Sequence, residues 1–198
     1  MTLPAGAEDA DFGGVEVEED ELANAVFVRC SFRGAGLGGV TRGCTFQACD
    51  FTLARLNGSE HEGSDFANSV FESANLFGAR FAECRLVGAS FAGATVTGLT
   101  VEGGDWSYAS LRGHDLSGSD LRGVKLREAD LSETSLAEAD LRGADLTRAR
   151  LHNASLAGAD LREAILDGVD LAAALVRGAR LDLAGAVQLA RSYGVEVD

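Results

Sequence analysis

Four cysteines are the side chains of this 198-residue chain best suited to hold a soft metal or to carry redox chemistry. They are Cys30, Cys44, Cys49 and Cys84. Their spacing lacks the Cys-x-x-Cys pairs of a structural zinc site, and free cysteine often serves as a small buried apolar residue. We therefore interpret all four as reduced core residues and not as metal ligands or a redox centre.

Three histidines, His61, His114 and His152, are the candidate general bases. None belongs to an HExxH motif, and the sequence contains no nucleophile elbow or phosphate-binding loop. The 25 glycines recur at one phase of a repeat instead of clustering in such a loop. The sequence therefore predicts a protein that is not an enzyme, with no catalytic residue, no metal and no cofactor.

The charge balance narrows the choice of partners. The chain has 31 Asp and Glu against 17 Lys and Arg, a formal net charge of -14. A nucleic-acid-binding surface needs a basic stripe, so this balance argues against direct nucleic-acid binding and favours a partner with a basic groove. No apolar run is long enough to span a bilayer, and residues 1–7 lack the features of a secretory signal. We expect a folded, cytoplasmic protein with no membrane partner.

A five-residue repeat organises the chain and must position all of these side chains. In steps of five from Phe46 to Leu181, the 28 central positions hold 17 Leu, 6 Phe, 3 Val, one Trp and one His. A small residue precedes nearly every centre by two positions, and Gly follows the centre by two at half of the steps. Neither a helix nor a plain strand sustains this period. The repeat predicts a coil of short extended segments, with the central and small residues inside and the Gly at the corner.

The first part of the chain keeps the same repeat in another frame. Its centres run from Phe12 to Leu37, and Leu37 and Phe46 are nine residues apart instead of ten. One residue is therefore missing between positions 38 and 45, where we expect a tight irregular corner or a small loop. We divide the chain into an N-terminal extension (1–9), a repeat region (10–181) and a C-terminal segment (182–198).

Runs such as ADLRG (139–143) and ADLTR (144–148) resemble the A(D/N)LXX motif of pentapeptide-repeat proteins. The resemblance covers residues 10–181. It implies an all-β solenoid, a right-handed quadrilateral β-helix with four pentapeptides in each coil and a short C-terminal α-helix. On such a coil the three histidines fall on three different sides, so they cannot form a shared site.

The tail GARLDLAGAVQLARSYGVEVD (178–198), with DFTLARLNGSEHEGSDFANSVF (50–71), is similar to the Mfp-type mycobacterial fluoroquinolone-resistance pentapeptide proteins. Qnr-type and albicidin-resistance proteins end in a comparable tail. The unbroken frame after Phe46 leaves no room for the projecting loops of many Qnr-type proteins, so we expect no function that depends on such loops.

A short amphipathic helix is predicted in this tail. Asp182 is suited to cap it, Gly194 is suited to end it, and VEVD (195–198) is a candidate last strand. An open coil end needs such a cap, and the resemblance implies that the tail also forms a twofold homodimer. The expected apolar face and dimer interface consists of Leu183, Ala186, Val187, Leu189, Ala190 and Tyr193.

Aspartates that directly precede the central residue form the candidate acidic binding surface. They are Asp115, Asp120, Asp130, Asp140, Asp145, Asp160 and Asp170. On a four-unit coil three of them stack along one side, next to a stack of arginines two residues later: Asp120, Asp140 and Asp160 beside Arg122, Arg142 and Arg162. Two interpretations stay open: a solvated ladder in which Arg offsets carboxylate repulsion, or part of a surface that imitates DNA phosphates.

A second acidic group lies near the N-terminus, and it is either a solubilising cap on the first coil or a further part of the binding surface. Its members are Glu8, Asp9, Asp11, Glu16, Glu18, Glu19, Asp20 and Glu21.

The resemblance and the net charge together lead to one functional hypothesis. The protein would mimic DNA, occupy the DNA-binding surface of DNA gyrase, and inhibit this type II topoisomerase, protect it from fluoroquinolones or related poisons, or do both. Whether topoisomerase IV is a second target stays open. The alternative is a structural or adaptor rod that binds another protein and has no topoisomerase target.

Overall fold

The computed structural model describes residues 2–17 and 21–197. The chain folds as two compact units, Met1–Asp105 and Trp106–Asp198, which we call the N-terminal unit and the C-terminal unit. The repeat region expected over 10–181 contributes residues to both units. Among the described residues, no helix has the length and apolar character needed to span a bilayer.

The described residues of the N-terminal unit form eight three-residue strands that pair in parallel: β1 Gly6–Glu8, β2 Glu21–Ala23, β3 Val26–Val28, β4 Val40–Arg42, β5 Thr45–Gln47, β6 Glu60–Glu62, β7 Arg80–Ala82 and β8 Thr100–Glu102. Strands β1, β3 and β5 form one sheet, and β2, β4, β6, β7 and β8 form another. Isolated parallel bridges such as Asp50↔Val70 complete the remaining sides of each coil.

Strand register locates the missing residue of the repeat. Strands β6 and β7 pair Glu60 with Arg80, an offset of twenty residues, whereas β2 and β4 pair Glu21 with Val40, an offset of nineteen. Thr41 of β4 pairs with Leu22 on one side and with His61 on the other, so it takes a central position. The residue is therefore lost before β4. Part of the segment expected to be irregular is a regular strand, because the coils on both sides supply backbone partners.

The C-terminal unit is built from isolated parallel bridges at the same twenty-residue spacing, for example Asp120↔Asp140↔Asp160. A 3-10 helix over Leu171–Ala173 interrupts this pattern, and helix α1 covers Leu183–Ser192. The predicted fold class, a parallel β-solenoid with one short C-terminal α-helix, is confirmed.

The turns explain why Gly recurs two residues after the centre. At this position the backbone adopts a positive φ, for example +73° at Gly113 and +58° at Glu138. The turn after Leu111 closes through a hydrogen bond from the His114 N–H to the Leu111 carbonyl at 3.2 Å. Glycine adopts this conformation without steric cost, so half of the turns use it.

The two units fill their cores differently. In the N-terminal unit the rings of Phe32, Phe51, Phe71 and Phe91 stack almost parallel, with successive centroids 4.9–5.1 Å apart. In the C-terminal unit leucines such as Leu146 take the equivalent central positions and are fully buried. Because each coil places its side chains directly above those of the previous coil, like residues pack on like residues.

Helix α1 begins after Asp182, whose carboxylate accepts a hydrogen bond from the Gly185 N–H at 2.9 Å. At its other end the Gly194 N–H donates to the Arg191 carbonyl, the Val195 N–H donates to the Ala190 carbonyl, and Gly194 has a φ of +77°. This is a Schellman motif.

The expectation of a last strand over residues 195–198 is wrong for the described residues 195–197, which form no strand. The Val195 N–H is turned back toward the helix by the Schellman motif and is therefore not available to a neighbouring coil.

Candidate functional site

The four cysteines are free and buried, as the sequence suggested. Each thiol lies within hydrogen-bonding distance of a backbone carbonyl in the coil below: Cys30 with Ala7 at 3.4 Å, Cys44 with Leu22 at 3.2 Å, Cys49 with Phe27 at 3.5 Å and Cys84 with His61 at 3.3 Å. Burial raises the pKa of Cys49 to about 12 and that of Cys84 to about 11. No group of residues suited to hold a metal ion occurs in the described part of the chain.

His61 replaces an apolar residue inside the aromatic core and is fixed by two hydroxyl groups. Its Nδ1 lies 2.7 Å from Thr41 Oγ1, its Nε2 lies 2.9 Å from Ser59 Oγ, and its ring centroid is 4.6 Å from that of Phe81. The Ser59 hydroxyl donates to the Leu56 carbonyl, so it accepts from His61 Nε2–H, and the Thr41 hydroxyl donates to Nδ1. Burial lowers the pKa of His61 to about 3. The ring is therefore a neutral core residue and no accessible base.

The stacked aspartates of the C-terminal unit are closely paired with arginine. In Asp140, Oδ1 accepts from the Arg142 backbone N–H at 3.2 Å and from its Nε at 2.8 Å, and Oδ2 accepts from Nη2 at 2.6 Å. Asp120 with Arg122 and Asp160 with Arg162 repeat this geometry. The arginine hydrogen bonds lower the pKa of Asp160 to about 2. The arrangement matches the arginine-balanced ladder more closely than a bare row of carboxylates.

The other predicted aspartates share one local task, which is to accept a hydrogen bond from the backbone N–H two residues later. The donors are Ser117 for Asp115 at 3.0 Å, Ser132 for Asp130 at 3.1 Å, Thr147 for Asp145 at 3.0 Å and Ala172 for Asp170 at 3.1 Å. Asp115, Asp130 and Asp145 bridge to Ser135, Arg150 and Lys125, respectively, away from the Asp120 column. The seven aspartates therefore do not form one acidic face.

Most of the negative charge lies in the N-terminal unit. Its sequence has 16 Asp and Glu against 6 Arg, whereas the C-terminal unit has 15 against 11 basic residues. All six arginines of the N-terminal unit already contact carboxylates: Arg29, Arg33, Arg42, Arg55, Arg80 and Arg85. The excess carboxylates, among them the exposed Glu60, Glu72 and Glu83, have too few cations to balance them.

The N-terminal acidic group is only partly within the described residues, because Glu18, Glu19 and Asp20 lie outside them. Of the others, Glu8 and Asp9 both contact Arg29. Glu16 contacts Arg55, and Glu21 contacts Arg42. Asp11 accepts from the Gly13 N–H at 2.9 Å. This group therefore ties neighbouring coils together through ion pairs in addition to carrying charge.

Helix α1 packs on its own coil through small and polar residues. A Cβ on Gly185 would lie 2.9 Å from Leu181 Cδ2, Gln188 Nε2 donates to the Val169 carbonyl at 2.8 Å, and Ser192 Oγ accepts from the Leu171 N–H at 3.1 Å. These contacts mark the coil-facing side of the helix. Reasoning from hydrophobicity alone missed this face, although the spacing of Gly185, Gln188 and Ser192 is a helical one.

The predicted apolar residues of α1 lie mainly on the opposite side. At 100° per residue, Leu183, Ala186, Val187 and Ala190 centre about 180° from the coil-facing side. Leu183 is 82% exposed. Together with Ile165, Leu183 and Val187 line a cleft of about 620 Å³.

The remaining two predicted interface residues lie elsewhere. Leu189 is half-buried on the flank of the helix, and Tyr193 is exposed just beyond its end.

Comparison with known proteins agrees with this architecture. A family model described as pentapeptide repeats matches the chain in 8 copies, over residues 49–86, 71–105, 107–137, 115–153 and 144–182. No curated protein matches the chain. A trypsin-treated variant of QnrB1, a plasmid-mediated fluoroquinolone resistance protein, is 22% identical with a TM-score of 0.61 and 98% coverage of both chains.

Two further solved structures are similar over most of the chain. Full-length QnrB1 is 21% identical with a TM-score of 0.59, covering 96% of this chain and 100% of that one. HetL, which is involved in heterocyst differentiation regulation in the cyanobacterium Nostoc, is 25% identical with a TM-score of 0.45, covering 88% and 84%. The likeness to QnrB1 establishes a shared fold. Since the family model also matches more than half of the sequence, the chain belongs to the pentapeptide-repeat family.

Proposed function

We propose that this protein is a DNA mimic that binds DNA gyrase as a homodimer and inhibits the enzyme, protects it from fluoroquinolones, or does both. The observation that carries the proposal is a net charge of -14 on a parallel β-solenoid whose fold is shared with QnrB1, a fluoroquinolone resistance protein. Gyrase binds DNA through basic surfaces, and a folded polyanion competes for such surfaces through the same counterion release as DNA.

The carboxylates would contribute to binding in two ways. The seven aspartates of the C-terminal unit are held rigidly by backbone N–H groups, and three of them are also paired with arginine, so they offer ordered but largely balanced charge. The N-terminal unit carries a formal charge of -10 against -4 for the C-terminal unit, so it would supply the stronger attraction. We therefore place the main electrostatic contact on the N-terminal unit and a secondary contact on the seven aspartates.

The homodimer would form through the outward face of α1. On this face Leu183 and Ala186 are exposed and Val187 and Ala190 are half-buried, and a second copy would remove their exposed surface from water. A twofold dimer would present two N-terminal units to an enzyme that is itself twofold symmetric. This symmetry match doubles the number of contacts without requiring a larger chain.

A supercoiling assay with purified gyrase from the source organism tests the proposed function. The protein is titrated with and without a fluoroquinolone, and both supercoiled product and drug-induced cleaved DNA are measured. Inhibited supercoiling or fewer drug-induced breaks is the expected result. Unchanged activity and unchanged breaks at saturating protein would instead favour the adaptor alternative.

Two charge-neutralised variants test where the contact lies. One carries Glu60→Gln, Glu72→Gln and Glu83→Gln in the N-terminal unit, and the control carries Glu138→Gln, Glu163→Gln and Glu196→Gln in the C-terminal unit. All six side chains are exposed, and each variant loses three charges. For the same effect on gyrase, the first variant should need about tenfold more protein than the wild type does. The control should need a clearly smaller increase. Equal losses would contradict the N-terminal contact without contradicting gyrase binding.

A further inference from the structure

Two of the four buried cysteines occupy the same inward position in consecutive coils. Ser31 pairs with Asp50, and the Asp50 N–H donates to the Cys30 carbonyl at 2.9 Å, which places Cys30 directly beside Cys49. Neighbouring strands lie about 4.8 Å apart, within the range of Cα separations that a disulfide bridges. Both side chains point into the core from the same side of the coil.

The other two cysteines provide a contrast within the same unit. Cys44 and Cys84 also share one inward column, but the paired residues Thr45, Asp65 and Arg85 show that a whole coil, with Ser64 at the equivalent position, lies between them. Their separation is therefore about two strand spacings, or about 9.6 Å, which exceeds the reach of a disulfide. Of these two stacked columns, only that of Cys30 and Cys49 brings two thiols within bonding reach.

We propose that Cys30 and Cys49 are a latent redox pair that forms an interlayer disulfide when the protein meets a low-molecular-weight disulfide. One protein thiolate attacks a sulfur of the small disulfide, which releases one small thiolate and leaves a mixed disulfide. The second protein thiolate then attacks the protein sulfur and releases the other small thiolate. The two protein thiols lose two electrons and two protons, and the small disulfide gains them as two thiols.

Burial controls when this reaction occurs. Burial, with the neighbouring Cys30 side chain as a further cause, raises the pKa of Cys49 to about 12. The closed coil therefore holds very little thiolate, and exchange proceeds through transient opening of the coils. The two thiols therefore stay reduced under reducing conditions. The disulfide forms under sustained oxidation and not during a brief oxidising pulse.

The disulfide would cross-link the chain across the place where the five-residue repeat loses a residue. The eighteen residues between Cys30 and Cys49 include β4 and the place where the repeat loses a residue. Cross-linking a loop of this length lowers the unfolding equilibrium constant on the order of a hundredfold. Oxidation would thus stabilise the early coils of the N-terminal unit without altering its surface.

Two double variants of the full-length protein test this proposal. Cys44→Ser with Cys84→Ser keeps the adjacent pair, and Cys30→Ser with Cys49→Ser keeps the pair that is two coils apart. Serine already occupies equivalent inward positions at Ser64 and Ser69, so the substitutions suit the fold. Both proteins are unfolded and then refolded at low protein concentration in a mixture of reduced and oxidised glutathione. Free thiols are then alkylated, and the mass of each intact protein is measured by mass spectrometry.

The adjacent-pair variant should refold with no alkylated thiol and a mass lower by about 2 Da, the two hydrogens lost on oxidation. The control should carry two alkylated thiols. Two free thiols in the first variant, or equal disulfide in both, would overturn the proposal.

The unsubstituted protein gives an independent readout if either variant folds poorly. After oxidation and tryptic digestion, peptide 30–33 should be linked to peptide 43–55 through Cys49, as fragment masses would show. A link through Cys44, or no link, counts against the proposal. Reduction should also return the urea unfolding midpoint of the oxidised protein to that of the reduced form.

Discussion

At the residue scale, the repeat assigns each side chain a task by its phase, and the exceptions are informative. An aspartate that directly precedes a central residue can cap the following turn, as Asp140 does by accepting from the Arg142 N–H. This explains its recurrence in the sequence without any appeal to binding. His61 departs from this rule, because its titratable ring stands at a central position that most coils fill with an apolar residue.

Replacing His61 should remove a pH dependence of stability. Burial holds the pKa of His61 at about 3 in the folded state, below the ordinary value of 6.5, so the unfolded chain binds the proton first. Stability is then fully present above pH 6.5 and falls as the pH drops toward 3. Between pH 6.5 and 5 the wild type should lose about 2 kcal/mol that His61→Phe does not lose.

Urea unfolding at several pH values measures this difference. His152→Asn, at an exposed position in the C-terminal unit, is the control and should keep the wild-type profile. A pH-independent wild type between pH 6.5 and 5 would show that His61 is not held neutral by burial.

The capping task of Asp140 gives a second prediction at this scale. Asp140→Asn keeps an oxygen that can accept from the Arg142 N–H, whereas Asp140→Ala removes both the cap and the ion pair. Alanine should cost about 1 kcal/mol of unfolding free energy, and asparagine clearly less. Chemical denaturation measures both values. Equal losses in the two variants would mean that the charge, and not the cap, stabilises the turn.

At the scale of elements, helix α1 presents two faces with opposite roles. Gly185, Gln188 and Ser192 attach it to the coil. On the opposite side Leu183 and Ala186 are exposed, and Val187 and Ala190 are half-buried. A helix that only capped the coil end would place its apolar face inward. The reversed orientation supports the proposed dimer.

A charge on the outward face should therefore separate the subunits without unfolding them. Leu183→Glu places a carboxylate in the proposed interface, while Ala184→Glu adds the same charge at an exposed neighbour on the flank of the helix. Light scattering should report a monomer for the first and a dimer for the second, with similar melting temperatures. A dimer in both variants would exclude this face as the interface.

At the scale of the whole molecule, uneven charge is the dominant property. The formal charge of -14 is divided as -10 in the N-terminal unit and -4 in the C-terminal unit. Long-range attraction to a basic partner follows net charge and not the number of carboxylates. The repeated aspartates, although conspicuous in the sequence, are therefore the weaker source of attraction.

Binding to gyrase should weaken steeply with salt if the charges act as a phosphate mimic. Between 50 and 200 mM salt the dissociation constant should rise at least about tenfold. Fluorescence anisotropy with labelled protein measures this change, and a salt-independent affinity would contradict electrostatic mimicry. An adaptor that binds through apolar contacts would show such independence.

Local chemistry allowed much of this protein to be predicted from its sequence. The period of five, the positive-φ turn two residues after each centre, the Asp182 cap and the Gly194 stop all depend on residues within a few positions of one another. Their steric and hydrogen-bonding requirements can therefore be predicted from the sequence. The solenoid fold follows from the repetition of these local units.

Only the tertiary structure decided what depends on residues one coil apart or on the orientation of an element. It placed the lost residue before β4, because pairing with both neighbouring coils favours a strand over a loop. It placed the seven aspartates in several columns, turned the apolar face of α1 away from its coil-facing side and left residues 195–197 without a strand. These outcomes are set by competition among backbone partners distant in the chain, which no local pattern records.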